Sequence, residues 1–589
     1  MLRAVAVAGL IVAASLVNAA AEDISPPHLS HLQPDWAGAV AAFTRAGTVA
    51  VGPATSTTDG PPSPALSGTS GNPTATVDRL NQAAERLFAG IGRSPVPVLL
   101  PVDIDALLQD REAPKPDGTA DRDYLSGFRI AFFQAGPAGY DAVFTLRPRD
   151  VSEFEGTAYQ RDVEVHITGA AFVYDIDPPT GAQSRPIRGL PEGVREVRRI
   201  YLQHQMRYLF SRYGVAYSVS VLCFDGRSRA RRLSCHDAHP IVMRALTALR
   251  LAGGSPQEAA NNAQPAAIER PAETSQVFTY YGSGQLIPRT GYRSFGGKTD
   301  STAYAPIRFP LASAPAHVYS QLYMTSADCS RDATSAIVAR RRGQPIKCVA
   351  ASDEEAGGSL RRLPWRDNFC ESRDFSVGEC PGGKGHQGQD IVPADCLFIS
   401  PHRCPPDRLG LVAVQDSVVL RAPGKEGLTL LVNTPTEHIR FRYLHMEPDE
   451  LDRRGLVHGR ILREGDDVGL LSNYNRREDG TSHHLHFDMQ VLTRDGWILI
   501  NPYMTLVAAY ERLIGKRGEE IPDRAPDLVR GATVPPFDLR DTPTLSTTQP
   551  PPAREPLSDV RGVPAIVAPE PPLPRSRPLS SRKRYRANR

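Results

Sequence analysis

Residues 483–488 read His-His-Leu-His-Phe-Asp, and they are the most informative stretch of this sequence. In a β-strand, side chains two residues apart share a face, so His484 and His486 point to one side while Leu485 and Phe487 point to the other. The apolar pair is expected to face a core. Two imidazoles side by side on one strand face are costly unless they share a metal ion or a reacting group. The stretch therefore predicts a strand that carries a functional site.

Two upstream segments carry the same kinds of residue. Residues 385–391 read Gly-His-Gln-Gly-Gln-Asp-Ile, in which His386 and Asp390 can converge on one ion if Gly388 permits a tight turn. Further along, Tyr443-Leu444-His445 places its tyrosine and its histidine on one strand face. A single His-x-His would be a weak indication in a chain with 15 histidines, but the three segments in this order are specific together.

Two histidines and one aspartate are a suitable ligand set for a catalytic metal ion. Three protein ligands leave the fourth position of tetrahedral zinc for water, which is typical of catalytic sites. The mixed nitrogen and oxygen set suits zinc, although manganese, cobalt or iron would also accept it. Zinc lowers the pKa of its water towards about 7, and two additional histidines could take the proton and stabilise the oxyanion. The chain has no His-Glu-x-x-His motif, which excludes the helical zinc site with a glutamate base.

Residues 385–503 resemble the lysostaphin-like, LytM-type zinc endopeptidases of peptidase family M twenty-three. The family is marked by His-x-Gly-x-Asp, Tyr-x-His and His-Leu-His-Phe segments, which are residues 386–390, 443–445 and 484–487 here. The glycine-punctuated segment at 464–469 and the closing Asn501-Pro502-Tyr503 match the family's layout as well. The resemblance covers about a fifth of the chain.

The resemblance implies an antiparallel β fold with a long groove and one zinc ion held by His386, Asp390 and His486. It also implies catalytic roles for His445 and His484. Members of the family hydrolyse peptide bonds in the stems or cross-bridges of peptidoglycan. The expected function is therefore that of a secreted zinc metalloendopeptidase that cleaves peptide cross-links of bacterial peptidoglycan.

The sequence departs from the family's pattern at three places. His483 stands where proline is usual, Ser417 stands where glycine is usual, and an insertion with two cysteines occupies residues 394–409. These departures affect the shape of the groove and the choice of substrate. Two alternatives stay open: a catalytically inactive wall-binding or amidase-activating adaptor on the same fold, and an interaction scaffold with structural zinc. The presence of all five polar residues favours the enzyme.

The chain is predicted to be multidomain, since 589 residues exceed one ordinary core. The predicted architecture is an α+β N-terminal domain followed by a β-rich domain, an antiparallel sheet or sandwich with a substrate groove. Composition gives the boundaries, in chain order: signal peptide 1–21, disordered segment or linker 22–77, α+β domain of unknown role 78–254, linker 255–276, peptidase domain 277–515 with its core at 385–503, and a proline-rich, basic, disordered tail 516–589.

Periodicity predicts individual elements in both domains. The predicted strands are 141–146, 163–167, 215–223, 411–414, 417–420, 428–432 and 438–443. Two helices are predicted: one through Val194, Val197, Tyr201, Tyr208 and Arg212, which would lie on one face, and one from Pro240 to Leu251.

The N-terminus has the layout of a secretory signal peptide, with Arg3, an apolar run at 4–17 and small residues at 18–21. Eight cysteines in an exported chain predict disulfides. The expected pairs are nearest neighbours in sequence: Cys223/Cys235, Cys329/Cys348, Cys370/Cys380 and Cys396/Cys404.

The net charge of +3 gives no indication of nucleic-acid binding, and no nucleic-acid partner is expected. The tail has no acidic residue from Pro571 onward and could bind an anionic wall polymer or a membrane surface. A solvated tail without a specific partner is an equal alternative. The resemblance and the lack of wall-anchor signals favour the periplasm of a Gram-negative cell over the extracellular space.

Overall fold

The computed structural model of the chain describes residues 24–49, 73–109, 124–154, 156–176, 184–187, 197–202, 204–224, 226–256, 263–284, 300–318, 329–331, 337–341, 344–347, 364–371, 375, 377, 380, 383–394, 409–475, 481 and 483–521. The predicted signal peptide, most of the predicted tail and most of the insertion at 394–409 lie outside the described residues. None of the helices in the described segments is both long enough and apolar enough to span a membrane.

The described segments form six α-helices and 26 β-strands. The helices are α1 Trp36–Val49, α2 Pro73–Ala84, α3 Ile104–Gln109, α4 Cys235–Thr247, α5 Pro448–Arg453 and α6 Tyr503–Ile514. The strands of the first half are β1 Leu29–His31, β2 Val98–Pro101, β3 Arg129–Gly136, β4 Gly139–Leu146, β5 Val163–Ala170, β6 Phe172–Tyr174, β7 Arg185–Pro186, β8 Arg198–Leu202, β9 Gln205–Arg212, β10 Val215–Leu222 and β11 Leu249–Gly253. Those of the second half are β12 Thr274–Tyr281, β13 Ala316–Val318, β14 Cys329–Arg331, β15 Ile337–Arg341, β16 Gln344–Lys347, β17 Gln389–Pro393, β18 Gly410–Val412, β19 Ser417–Val419, β20 Leu428–Asn433, β21 His438–Leu444, β22 Ile461–Leu462, β23 Asp467–Leu470, β24 Leu485–Thr493, β25 Gly496–Ile500 and β26 Arg517–Ile521.

Two antiparallel sheets dominate the fold. The first sheet has seven strands in the order β3-β4-β5-β10-β9-β8-β7. The second has eight strands: β13-β17-β24-β21-β20-β19-β22 follow one another, and β25 pairs with β24. The prediction of a β-rich antiparallel fold around the histidine segments is confirmed, and the strands predicted there are found within a few residues of their predicted bounds.

Strand β21 shows why the second sheet forms and which way it faces. Its residues Ile439, Phe441 and Tyr443 are completely buried and face the main core. The alternate residues His438 and Arg440 are also buried, although both are polar. A strand that is buried on both faces needs a cover on each side, so the polar face of this sheet must be covered by another layer.

The first sheet supplies that cover. Phe132, Val143 and Ala170 of the first sheet form one apolar cluster with Leu431 and Trp497 of the second sheet. At the same junction, the amide of Asn433 accepts a hydrogen bond from Ala138 N at 2.7 Å and donates one to Gly139 O at 3.1 Å. The described residues of both sheets fall within one compact unit.

The helix predicted through residues 194–212 is wrong. Residues 198–202 and 205–212 instead form the paired strands β8 and β9, and His204 before β9 has a left-handed conformation (φ 57°). The spacing of Val197, Tyr201 and Tyr208 fits a helical face by coincidence. In the structure, Met206, Tyr208 and Phe210 are buried with strand periodicity, and the neighbouring Arg207 and Leu209 are buried too, so periodicity alone does not separate the two structures.

The second predicted helix has different bounds in the structure. Helix α4 begins earlier, because Ser234 caps it by accepting a hydrogen bond from Asp237 N at 3.1 Å. It ends at Thr247, because Leu249 onward forms β11, which pairs with β2. Pro240, at which the helix was expected to begin, lies within the helix.

Three segments assigned to linkers or tail contain regular structure. Residues 24–49, placed in the 22–77 segment, form β1 and α1, in which Ala39 and Val40 are buried. In the 255–276 segment, Arg270 forms a buried ion pair with Glu511 of α6 at 2.7 Å. Strand β26, placed in the tail, pairs in parallel with β12. Local composition did not indicate these contacts, because each of them depends on a partner that is distant in sequence.

Candidate metal centre

The three residues predicted as metal ligands meet at one point in the structure. His386 Nε2 lies 2.9 Å from His486 Nδ1 and 3.2 Å from Asp390 Oδ1. The distance between His486 Nδ1 and Asp390 Oδ1 is 3.3 Å. All three side chains are buried. The predicted convergence of His386, Asp390 and His486 is therefore present.

Strand pairing brings two of these residues together. Strand β17 pairs antiparallel with β24, and Asp390 lies directly opposite His486 in that register. His386 belongs to the turn that precedes β17, and Gly388 allows this turn to lie against β24. A Cβ atom at Gly388 would come within 2.2 Å of Phe487 O and 2.7 Å of Asp488 Cβ. Only glycine permits this approach, which explains the glycine in the His-x-Gly-x-Asp segment.

The outer nitrogens of His386 and His486 lie near oxygen atoms on the sides that face away from the centre. His386 Nδ1 lies 3.0 Å from the carbonyl oxygen of Asn368, which can only accept a hydrogen bond. His486 Nε2 lies 3.3 Å from the carboxylate of Asp488. The contact with Asn368 O favours a proton on His386 Nδ1. Burial alone would lower the pKa of His486, but Asp390 and Asp488 raise it above the usual value.

The carboxyl group of Asp390 is held in its charged form. Burial alone would raise its pKa, but the neighbouring His386 and His484 hold the pKa well below the usual range. Three candidate ligand atoms converge at separations of 2.9 to 3.3 Å. In a tetrahedral zinc site with bonds of about 2.0 Å, neighbouring ligand atoms are about 3.3 Å apart. The donor set and its spacing fit a zinc ion.

The two histidines predicted to be catalytic lie beside this centre. His484 Nε2 is 3.4 Å from Asp390 Oδ1, and the rings of His484 and His445 are 4.7 Å apart. His445 has a left-handed backbone (φ 66°), and its Nδ1 lies 2.9 Å from Tyr474 O, which holds the proton on that nitrogen. Burial, and then the proximity of His484 and His486, lowers the pKa of His445 to about 3. His445 is therefore a neutral imidazole whose Nε2 can accept a proton.

A buried polar network, which the sequence did not indicate, holds the turn that carries His386. Gln389 donates from Nε2 to Asp367 Oδ1 at 2.6 Å and to Asn501 Oδ1 at 3.1 Å. Its Oε1 accepts from Asn368 N at 3.1 Å, and Asn501 donates to Asp367 Oδ2 at 2.7 Å. The network fixes the carbonyl of Asn368, and hence the ring orientation of His386.

Asp488 is a second supporting residue that was not singled out. Arg442 donates to its Oδ2 from Nε at 2.8 Å, and the same oxygen faces His486 Nε2. The period of two along β24 puts His486 and Asp488 on one face, so this residue could have been found from the sequence. In metal sites, a carboxylate behind a ligand histidine fixes the orientation of the ring.

A disulfide closes the segment next to His386. Cys370 and Cys380 are bonded, and a Cβ atom at Gly385 would lie within 2.8 Å of both cysteines. Cys223 and Cys235, which lie in the predicted α+β domain at 78–254, are also bonded. These two predicted pairs are confirmed. Cys348, Cys396 and Cys404 lie outside the described residues. The pairs Cys329/Cys348 and Cys396/Cys404 therefore stay predictions.

No protein-family model matches the chain, and no curated protein matches it. Among solved structures, the chain is similar to a crystal structure of a candidate glycyl-glycine endopeptidase LytM from Ruminococcus gnavus ATCC 29149, with 23% sequence identity and a TM-score of 0.17. The matched region covers 23% of this chain and 50% of the chain in that structure. A similarity this low gives no information about activity.

Proposed function

We propose that this chain is a secreted zinc metalloendopeptidase that hydrolyses peptide cross-links of bacterial peptidoglycan. The observation that carries the proposal is the convergence of His386 Nε2, Asp390 Oδ1 and His486 Nδ1 within 3.3 Å of one another. Two further imidazoles lie beside these atoms. The motif resemblance described above supports peptidoglycan as the substrate class.

The residues of the chain divide into ligands and proton carriers. His386, Asp390 and His486 would hold the ion, and a bound zinc ion supplies a polarised carbonyl and a water of lowered pKa. His445 and His484 would take the proton from the attacking water and return it to the leaving amine. The neutral state of His445 suits it to accept that proton, and Tyr474 O keeps its Nε2 directed away from the backbone.

Export is proposed from the layout of residues 1–21, with the periplasm as the compartment. The disulfides Cys223–Cys235 and Cys370–Cys380 support an oxidising location. The basic tail is proposed to bind an anionic wall polymer or a membrane surface.

The test combines metal analysis with hydrolysis of purified peptidoglycan by the full chain. We expect one zinc ion per chain, release of soluble muropeptides, and loss of release in His386→Ala and His484→Ala. His236→Ala removes an exposed histidine of helix α4 and serves as the control, for which we expect release to be unchanged. Full zinc occupancy without any release of muropeptides would contradict the proposal and favour the adaptor.

A further inference from the structure

A short loop at one end of the first sheet carries four arginines. The loop connects β10 to α4, and its residues 224–234 include Arg227, Arg229, Arg231 and Arg232. All four arginines are exposed. The same segment contains a single acidic residue in its sequence, so its four positive charges and one negative charge give a formal charge of +3. The loop therefore concentrates positive charge on a small exposed surface.

Covalent and hydrogen bonds hold the backbone of this arginine loop in place. The disulfide between Cys223 and Cys235 closes the loop. At its tip, Arg229 N donates to Arg232 O at 2.8 Å, and Arg232 N donates to Arg229 O at 3.0 Å, so residues 229–232 form a tight turn. The arginines are therefore presented from a constrained backbone, and binding a ligand costs less conformational entropy than it would in a flexible segment.

Within the described part of the chain, the four guanidinium groups of the arginine loop make no ion pair. Arg232 packs over the ring of Phe224 at 4.4 Å from the ring centroid, a contact that does not neutralise its charge. The carboxylate of Asp237, at the start of α4, contacts Ser234 Oγ at 2.8 Å and His236 Nδ1 at 3.2 Å instead. The positive charge of the loop is therefore available to an anionic partner from outside the protein.

An exposed leucine lies at the same end of the sheet. Leu222 is the last residue of β10 and directly precedes the arginine loop, and it is 54% exposed. An exposed leucine beside arginines suits a lipid surface, which presents phosphate groups above an apolar layer. An anionic polymer presents charge without such a layer. Leu222 therefore favours a lipid surface over a polymer as the partner.

A second described segment exposes the same kinds of side chain without the excess of positive charge. Arg460, Ile461 and Arg463 are exposed, and Ile461 is 73% exposed. The sequence of segment 460–467 contains two arginines and three acidic residues, so its formal charge is −1. An anionic surface is not expected to attract this segment, which makes it a matched control for the arginine loop.

We propose that the arginine loop, together with Leu222, is a docking surface for a membrane that contains anionic phospholipids. The guanidinium groups bind the lipid phosphates, because the planar fork of arginine matches the geometry of phosphate oxygens. Leu222 enters the boundary between the headgroups and the acyl chains. This surface belongs to the folded first sheet and is separate from the basic tail.

The experiment is co-sedimentation of the full chain with lipid vesicles. One set of vesicles contains equal amounts of phosphatidylglycerol and phosphatidylcholine, and the other contains phosphatidylcholine alone. We expect the chain to bind the anionic vesicles and not the neutral ones. Added salt should weaken the binding, because it screens the attraction between exposed charges. Absence of binding to the anionic vesicles would overturn the proposal.

Two double variants separate the arginine loop from the total charge of the chain. Arg229→Ala/Arg231→Ala and Arg460→Ala/Arg463→Ala each remove two exposed positive charges, and both keep the tail. One arginine near an anionic membrane contributes about fivefold to affinity, so the first variant should bind about 25-fold more weakly. The second variant should bind as the unsubstituted chain does. Circular dichroism checks that both variants are folded.

Leu222→Ser tests the apolar contact, with Ile461→Ser as its control. We expect Leu222→Ser to weaken vesicle binding about tenfold, as for partial burial of a leucine side chain, and Ile461→Ser to have no effect. Equal binding by the two arginine variants would overturn the docking surface and assign vesicle binding to another part of the chain. Competition by soluble polyphosphate, together with unchanged vesicle binding in Leu222→Ser, would overturn the lipid surface in favour of an anionic polymer.

Discussion

Two buried aspartates of this fold, Asp141 and Asp390, both contact histidines but differ in the other groups around them. Asp141 of β4 accepts hydrogen bonds from His438 Nε2 at 2.7 Å, from Arg440 at 2.8 Å and from Thr168 at 2.7 Å. Each of these neighbours brings a proton, so the carboxylate is compensated by the protein itself. This cluster joins the first sheet to the second.

Asp390 instead lies among imidazoles, with Oδ1 3.2 Å from His386 Nε2, 3.3 Å from His486 Nδ1 and 3.4 Å from His484 Nε2. Under the proposed function, this cluster binds a cation from outside the protein. The comparison shows that a buried Asp with histidines does not by itself indicate a metal site. The two clusters differ because an arginine and a hydroxyl donate to Asp141, whereas His386, Asp390 and His486 converge with atoms that could hold one ion.

The largest expected effects separate the histidines of the two clusters. His484→Ala should lower kcat by about 10² to 10⁴, the usual contribution of a general acid or base, with little change in the free energy of unfolding. His438→Ala should instead lower the free energy of unfolding by about 1–3 kcal/mol, because Asp141 loses a buried donor. Peptidoglycan cleavage per folded molecule and denaturant unfolding measure the two effects. An inactive but fully stable His438→Ala would break the distinction.

The aspartates themselves should differ in their response to a chelator. Asp141→Asn should cost about 3–5 kcal/mol with or without chelator, because it leaves the buried guanidinium of Arg440 without its counter-charge. A chelator should destabilise the unsubstituted chain by about 3 kcal/mol if free zinc had exceeded its Kd about a hundredfold. Asp390→Asn should not respond to chelator. Urea unfolding of the three proteins tests this, and a chelator response that survives Asp390→Asn would argue against the metal centre.

The carboxylate behind the metal ligand should have an intermediate effect. Asp488→Asn removes the charge that orients His486 and should weaken zinc binding by about 10- to 100-fold. Competition with a chromophoric chelator measures the affinity. Asp495→Asn, at the turn after the same strand, is the control and should keep full affinity. Equal affinities in all three proteins would show that Asp488 does not support the ligand.

The smallest expected effect is a pH dependence of the interface. Burial alone would raise the pKa of Asp141, but His438 and Arg440 lower it from 3.8 to about 2. Its contribution, about 2 kcal/mol, is fully present above the unfolded-state pKa and is lost as the pH falls from about 4 through about 2. Unfolding measured with chelator at pH values across this window should show the loss. Asp141→Asn should remove that part of the dependence, and an unchanged profile would contradict it.

The convergence of His386, Asp390 and His486 could be predicted from the sequence because each segment carries its own local geometry. Gly388 is needed where the turn meets β24, and the period of two places His486 opposite Asp390 when the strands pair. The same period could have identified Asp488. Asn368 could not have been predicted from the sequence, because it contacts His386 through its backbone carbonyl, and every residue has a backbone carbonyl.

The junction of the two sheets was not predictable from local patterns. Asp141 and Arg440 are 299 residues apart, and neither lies in a motif. The burial of consecutive residues in β9 likewise depends on neighbouring layers, so the helical spacing of Val197, Tyr201 and Tyr208 indicates the wrong element. Local patterns therefore predicted which residues converge at the site and the strands around it, but not the packing of the first sheet onto the second.

The metal centre is tested most directly by the zinc content of the purified full chain and of His386→Ala, measured by mass spectrometry after dialysis against metal-free buffer, with folding checked by circular dichroism. We expect one zinc ion per chain for the unsubstituted protein and none for the folded variant. A folded unsubstituted chain that does not bind zinc, or a His386→Ala chain that retains a full equivalent, would contradict it.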